Sequence, residues 1–227
     1  MGRKNTVIFD MDGVIFDSEK IVLSSWKKVA AEYGLENIES VMTQCIGLNY
    51  DAANEVFTKA YDGKFDFDFL KPKTSAYYYE YVEKYGLPLK TGVRELLIFL
   101  KEAGYKTAVA SSTRIAVVEK EIEDADLTEY FEKLVGGDMI KRSKPAPDIF
   151  LEAARVLEVE PEDCYVIEDS YNGIRGARAA GMTPFMVPDL LPATEEMEQL
   201  AEKIFKDLHE VRMFFAENEK SVSGRKN

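Results

Sequence analysis

The stretch that decides the fold is TVIFDMDG, residues 6–13. Residues 6–10 form a short, apolar, β-branched run that ends in an acid, which is typical of a strand buried on both faces of a parallel sheet. Two carboxylates, Asp10 and Asp12, stand two residues apart where this strand ends. Gly13 follows them and permits a turn that a β-branched residue resists. The stretch therefore predicts a buried first strand that carries acidic side chains at its carboxyl end.

Beyond residue 89 the sequence alternates between helical and strand patterns. Helices are predicted at 93–103, 115–124, 147–157 and 172–180, and strands at 107–110, 134–135, 164–167 and 183–187. Such alternation implies right-handed crossovers and a parallel sheet covered on both faces. Between the first strand and this region the patterns are helical only, the longest at 18–33, 50–61 and 69–85.

We therefore predict an α/β fold, a Rossmann-like parallel-sheet core with an inserted all-helical cap domain. The core is assigned to residues 1–16 and 89–220, the cap to 17–88, and a disordered polar tail to 221–227.

Composition narrows the function. The chain has 227 residues, with 29 Lys and Arg against 41 Asp and Glu, a net charge of −12, which disfavours nucleic-acid and membrane partners. The single histidine, His209, and two cysteines, Cys45 and Cys164, leave little material for a zinc site, a histidine-based triad or a disulfide framework. No run approaches 18 apolar residues. We expect a cytoplasmic protein, a monomer or weak dimer.

Three predicted strands end in polar or acidic side chains. The first ends at Asp10 and Asp12, the second at residues 111–113, and the third at Glu168 and Asp169. Parallel sheets bind ligands at the carboxyl ends of their strands, so these groups should meet in one crevice. Four carboxylates cannot all remain ionised together without a cation, and oxygen ligands suit Mg²⁺. This is the protein part of a phosphoryl-transfer site.

The residues after the first strand, DMDGVIFDSE at 10–19, resemble the first motif of haloacid dehalogenase-like (HAD) phosphohydrolases. They are most similar to the branch of β-phosphoglucomutase and the sugar-phosphate phosphatases. Later motifs match in order: Ser111 after an apolar strand, KPAPD at 144–148, and EDS at 168–170 followed by Asn172 and Gly173. The helical insertion matches the cap of that branch in position and size, and the resemblance extends to about residue 210.

The resemblance implies a role for each motif residue. The implied catalytic residues are Asp10, Asp12, Ser111 and Lys144, and the implied Mg²⁺ ligands are Asp10, Asp12, Glu168 and Asp169. Asp10 would be the nucleophile that forms an aspartyl-phosphate. Asp12 would protonate the leaving oxygen and then deprotonate water. The dehalogenases of the family lack the second Asp, so Asp12 favours phosphoryl chemistry.

Structural roles compete with these assignments. The acids and Ser111 could cap strand or helix ends. Lys144 could be a solvated loop residue, and Lys141 and Arg142 are neighbouring candidates for its role. The Lys-Pro pattern of the family at this motif favours Lys144.

Substrate contacts are the least determined. The loop at 46–50 resembles the specificity loop of the family's cap, and the substrate-binding candidates are Gly47, Asn49, Lys73, Ser112 and Arg114. The sugar-phosphate mutases carry Arg where Tyr50 stands and His where Val22 stands. The sequence therefore favours a Mg²⁺-dependent phosphatase of a small phosphorylated metabolite, with a sugar phosphate as the expected partner. A mutase ranks second, and a non-catalytic phosphometabolite-binding protein is the alternative from another class.

Overall fold

The computed structural model describes residues 4–223, and within them six parallel strands form one sheet. The strands are β1 (Thr6–Phe9), β2 (Lys106–Ala110), β3 (Lys133–Val135), β4 (Cys164–Glu168), β5 (Thr183–Met186) and β6 (Lys203–Ile204). Their order across the sheet is β3-β2-β1-β4-β5-β6. The first strand thus lies between β2 and β4. The later strands are added outward from it, β2 and β3 on one side and β4, β5 and β6 on the other.

The helices form a cap group and a core group. The cap group is α1 (Glu19–Tyr33), α2 (Ile38–Thr43), α3 (Tyr50–Ala60) and α4 (Phe67–Tyr85). The core group is α5 (Val93–Glu102), α6 (Ile115–Asp124), α7 (Asp148–Leu157), α8 (Tyr171–Ala179), α9 (Glu195–Leu200) and α10 (Leu208–Ser223). The predicted α/β fold with a helical insertion is confirmed. The short elements α2, α9 and β6 were not predicted individually, because each offers too few residues to show a period.

Alternate side chains of β1 enter two hydrophobic clusters. Val7 and Phe9 belong to the cluster that includes Leu96 of α5, whereas Ile8 belongs to the cluster that includes Phe150 of α7. All residues of β1 are fully buried. Burial on both faces explains why this strand is an apolar run without polar alternation.

The register of the central strands sets the place of the site. Phe9 pairs with Val109 on one side and with Ile167 on the other. Asp10 is the next residue after β1. It therefore lies just beyond the end of that strand, beside Ala110 of β2 and Glu168 of β4. The carboxyl ends of β1, β2 and β4 converge as predicted from the sequence.

The two segments that join cap and core pair with each other. Phe16 and Leu89 form an antiparallel bridge, and the Asp17 amide donates to the Pro88 carbonyl at 2.9 Å. We therefore propose 17–88 as the cap domain. At the other end of the chain, α10 continues through Ser223 and so includes the first three residues of the predicted disordered tail. Residues 224–227 lie outside the described part of the chain.

The cap has its own apolar centre. The Trp26 ring lies 5.4 Å from the Phe57 ring and 5.7 Å from the Phe67 ring, measured between centroids, and all three side chains are buried. Asp66 is the N-cap of α4 and accepts a hydrogen bond from the Phe69 amide. The helix begins at Phe67, two residues earlier than the hydrophobic pattern predicts. None of the helices in the described residues is long and apolar enough to cross a membrane.

We expect Trp26→Ala to lower the free energy of unfolding by about 3–5 kcal/mol, because it leaves a cavity between two packed aromatic rings. Denaturant unfolding followed by circular dichroism measures the change. Phe69→Ala, on an exposed side chain of α4, is the matched control and should cost no more than about 1 kcal/mol. Equal losses for the two variants would contradict the assignment of Trp26 as the centre of the cap.

Candidate active site

A buried lysine joins the ends of two central strands. Lys144, only 2% exposed, places its Nζ 2.5 Å from Asp10 Oδ1 and 2.6 Å from Glu168 Oε1. It also donates to the Ala110 carbonyl at 3.2 Å. The two neighbouring candidates are on the surface: Lys141 is exposed, and Arg142 pairs with Asp148. The structure therefore brings Lys144, and neither neighbour, to the predicted nucleophile.

Glu168 is held by the backbone that follows it. Its Oε2 accepts hydrogen bonds from the amides of Asp169 and Ser170, at 3.1 and 3.0 Å, and from Ser170 Oγ at 2.9 Å. A Cβ at Gly173 would collide with the Glu168 carboxylate, so this first turn of α8 requires a glycine. Ser170 also caps α8 by accepting from the Gly173 amide. The side-chain cap of α8 is therefore Ser170, a residue not considered for this role, and Glu168 faces Lys144.

Three carboxyl groups form a compact acidic cluster. Ligand oxygens of Asp10, Glu168 and Asp169 lie within 4.8 Å of one another, and all three residues are buried. No group among residues 4–223 donates a hydrogen bond to Asp169 Oδ2, which is itself buried. Gly13, with φ of 80°, lies so close to Asp169 that a side chain at this position would overlap its carboxylate. An orphaned carboxylate oxygen inside an acidic cluster is what a hard divalent cation would satisfy.

The charges of the cluster do not balance. Burial raises the pKa of Asp10 to about 8 against the opposing effect of Lys144, and Glu168 and Asp12 add to the rise. Burial, with Glu168 and Asp10, also raises the pKa of Asp169 well above its usual value. Burial lowers the pKa of Lys144, but Asp10 and Glu168 outweigh it and leave this pKa raised. One ammonium neutralises only one of three acids, so without a cation the acids retain a proton.

Asp12 lies outside that cluster and is bound by two hydroxyl groups. Ser18 Oγ donates to Asp12 Oδ1 at 2.6 Å, and Thr113 Oγ1 donates to Oδ2 at 3.1 Å. Ser18 directly precedes α1 but does not cap it, because its hydroxyl faces Asp12 instead. Asp12 was predicted as a metal ligand as well as an acid–base; its carboxylate is not part of the acidic group found among the described residues.

The predicted phosphate-binding serine is at the end of β2. Ser111 is fully buried, and its Oγ accepts a hydrogen bond from the Thr113 amide at 3.1 Å. It is not the N-cap of α6, since that position belongs to Arg114. Ser112 donates to the carbonyl of Gly47 at 3.2 Å and so connects the core to the cap loop.

A cavity of about 730 Å³ lies between the cap and the strand ends, and Asp10, Asp12 and Asp169 are on its core side. Four of the five predicted substrate-binding residues line it: Gly47, Asn49, Ser112 and Arg114. Asn49 also caps α3, accepting from the Ala52 amide at 3.0 Å. Lys73 does not line the cavity; its ammonium lies over the rings of Phe69 and Tyr33.

Other polar groups line the cavity that the sequence analysis did not identify. They include Glu19, Asp68, Lys71, Ser75, Tyr78 and Glu121. Lys71, Ser75 and Tyr78 are spaced at i, i+4 and i+7, which places them on one face of α4. That spacing is a usable signal, but it does not indicate which face of the helix meets the core. Burial lowers the pKa of Lys71, against Asp12 and Glu19, which raise it.

Comparison with known proteins agrees with this architecture. The family model "Haloacid dehalogenase-like hydrolase" matches residues 7–187. A phosphorylated carbohydrates phosphatase of Thermotoga maritima is 33% identical over 178 residues, which covers 78% of this chain and 81% of that protein. Hexitol phosphatase B of Escherichia coli K12 is 30% identical over 184 residues, covering 80% and 82%.

A solved structure supports the fold. The β-phosphoglucomutase of Clostridium difficile superposes with a TM-score of 0.79 and covers 96% of this chain and 99% of its own. At 22% identity this likeness concerns the fold alone. The resemblance found in the sequence is confirmed: the chain belongs to the haloacid dehalogenase-like hydrolase family.

Proposed function

We propose that the protein is a Mg²⁺-dependent phosphatase of a sugar phosphate that works through an aspartyl-phosphate at Asp10. The observation that carries the proposal is the unpartnered Asp169 Oδ2 beside Asp10, on the core side of the cavity between cap and core. A phosphate ester in this cavity meets a nucleophile, a buried ammonium group and a set of cation ligands. These are the components of a phosphoryl-transfer site.

The donor set fits Mg²⁺. Asp10 and Asp169 would hold the ion, and Glu168 is the third carboxylate of the cluster, because all three offer hard oxygen ligands. When bound, the ion supplies neutralisation of the phosphate charge. We assign Asp12 to proton transfer, since its carboxylate is bound by Ser18 and Thr113 and lies apart from the acidic cluster.

The reaction proceeds in two steps at this site. In the first, a carboxylate oxygen of Asp10 attacks phosphorus, the ester bond breaks, and protonated Asp12 gives its proton to the leaving alkoxide. In the second, Asp12 takes a proton from water, which attacks phosphorus and releases inorganic phosphate and the Asp10 carboxylate. Lys144 stays charged throughout and offsets negative charge on Asp10. Ser111, in this proposal, positions a phosphoryl oxygen.

The relatives support a sugar phosphate as the substrate class. Two relatives, 33% and 30% identical to this chain over the aligned residues, are named phosphatases of phosphorylated carbohydrates and of hexitols. In this chain Tyr50 donates to Asp68 at 2.8 Å, so the mutase-type Arg is replaced by a residue with an acidic partner. Val22 lines the cavity without an imidazole. These two positions favour hydrolysis over phosphosugar isomerisation.

Asp10→Asn should abolish turnover of sugar phosphates while the fold is retained, because an amide is a poor nucleophile. Phosphate release in the presence of Mg²⁺, with circular dichroism as the check on folding, measures the effect. Retention of more than a few per cent of activity would exclude Asp10 as the nucleophile. Wild-type protein that binds sugar phosphates without releasing phosphate would instead favour the non-catalytic binding protein.

Mg²⁺ should raise Tm more at about pH 8 than at about pH 6. Because the pKa values of Asp10 and Asp169 are raised on folding, the metal-free native state holds protons that the unfolded chain has released above about pH 4. The free energy of unfolding of the metal-free protein therefore falls as the pH rises toward 8. At that pH Mg²⁺ also competes less with protons for Asp10 and Asp169, so its binding raises Tm more. Thermal unfolding with Mg²⁺ or EDTA measures this difference.

Asp169→Ala should remove most of the Mg²⁺-dependent rise in Tm. Glu162→Ala is its control, since Glu162 is exposed just before β4. A rise of the same size in both variants, or none in the wild type, would contradict the metal site.

Incubation with β-glucose 1-phosphate, Mg²⁺ and a trace of the 1,6-bisphosphate separates hydrolysis from isomerisation. We expect free phosphate and little glucose 6-phosphate, because Tyr50 cannot replace the bidentate grip of Arg on a second phosphate. Both products are measured in one time course. Rapid formation of glucose 6-phosphate with little phosphate would establish the mutase.

A further inference from the structure

A hydrogen bond between two side chains joins a cap helix to a core helix at the wall of the cavity. Tyr78, on cap helix α4, donates its hydroxyl to Glu121 Oε1, on core helix α6, at 3.0 Å. Both residues line the cavity. On another side the cap is joined to the core by Ser112 and the Gly47 carbonyl. The mechanism proposed above uses neither Tyr78 nor Glu121.

Glu121 is unusual among the charged residues of its helix. Its neighbours Glu119, Glu123 and Asp124 are exposed, whereas Glu121 is 9% exposed. Within the described chain it forms no ion pair, and Tyr78 is the one group that donates to it, through Oε1. Burial raises the pKa of Glu121 to about 8, and the Asp12 charge adds to the rise. A buried carboxyl group with one partner retains capacity for a further hydrogen bond, and the cavity is where a donor can approach it.

The charge of the cavity wall limits what that donor is. The cavity is lined by six carboxyl groups, those of Asp10, Asp12, Glu19, Asp68, Glu121 and Asp169, against two cationic side chains, Lys71 and Arg114. Burial raises the pKa of Glu19 to about 8 as well, with Asp12 contributing next. A second anionic group beside Glu121 would raise the pKa of this carboxyl further and would add negative charge near Asp12. A hydroxyl group carries no such cost.

We infer that Glu121 is a specificity-determining residue that hydrogen-bonds a hydroxyl group of the leaving alcohol, and that Tyr78 is the positioning residue that orients it. The inference rests on the proposed phosphatase function and extends it. It assigns the substrate a polyhydroxylated leaving group without a second phosphate. Buried polar groups left unpaired by a hydroxyl-free substrate would then reject it.

The test compares two esters with the same six-carbon chain, sorbitol 6-phosphate and n-hexyl phosphate, which differ in the hydroxyl groups. Wild-type protein with Mg²⁺ should prefer sorbitol 6-phosphate. Glu121→Ala should lower kcat/KM for sorbitol 6-phosphate by about 10- to 100-fold, the loss of a hydrogen bond to a charged or buried group, and change kcat/KM for hexyl phosphate by no more than about twofold. Glu121→Gln keeps an acceptor and should lose less.

Two controls separate recognition from folding. Glu119→Ala changes an exposed carboxyl on the same helix and should leave both substrates unaffected. Tyr78→Phe should shift the ratio of the two kcat/KM values in the same direction as Glu121→Ala, through a rise in KM for sorbitol 6-phosphate. Tyr81→Phe, more exposed on the same helix, should not. The substrate ratio is the decisive quantity, because a structural defect lowers both rates together.

Equal losses on the two esters, or no loss on either, in Glu121→Ala would overturn the inference and leave the proposed phosphatase intact. If the wild-type protein hydrolyses none of the three esters, sorbitol 6-phosphate, hexyl phosphate and p-nitrophenyl phosphate, the proposed function is overturned and the inference with it. A shifted ratio in Glu121→Ala and Tyr78→Phe but in neither control supports the assignment.

Discussion

The rest of the site depends on the ion pairs that the Lys144 ammonium group forms with Asp10 and Glu168. The ammonium group reaches from the loop before α7 to the ends of β1 and β4, and it lies within 2.6 Å of a carboxylate on each. Removing one member of a buried ion pair typically costs about 3–5 kcal/mol, because the remaining charge loses its partner. Here the acids outnumber the lysine, so only protons or a further cation can offset the excess of carboxyl groups at the floor of the cavity, its core side. A divalent cation is the direct way to offset that excess.

Asp12 connects this charged floor to the cap. Its two oxygens are bound from opposite sides, by Ser18 at the start of the cap and by Thr113 in the core. The linkers beside Ser18 are themselves tied together, since Asp17 pairs with Pro88 through the backbone. Any shift of the cap relative to the sheet would therefore change the hydrogen bonds of Asp12. The proposed proton-transfer group is in this way held by both the cap and the core.

The sequence was sufficient for the features set by local patterns. The apolar run at β1 and the polar ends of three strands predict the sheet and the convergence of Asp10, Ser111 and Glu168, because parallel strands share one carboxyl edge. The docking of cap on core could not be predicted in the same way. Lys71 and Lys73 differ by two positions on α4, about 200° around the helix axis, and only tertiary packing decides which one faces the cavity. Tyr78 and Glu121 are 43 residues apart and meet through that packing alone.

The net charge of −12 makes the charges that line the cavity decisive for binding an anionic substrate. An acidic protein attracts a phosphate ester only where cations are concentrated, and the floor of the cavity would become such a place with the proposed Mg²⁺ beside Lys144, because Lys144 alone faces three carboxyl groups there. Further up the wall, Glu19 and Glu121 add carboxyl groups near Asp12. Because burial raises the pKa of both groups to about 8, they are largely protonated near neutral pH and offer hydrogen bonds rather than negative charge to the part of a substrate beside them. A substrate that places its phosphate beside Lys144 would therefore meet uncharged hydrogen-bonding groups at Glu19 and Glu121, which suits a polyhydroxylated leaving group.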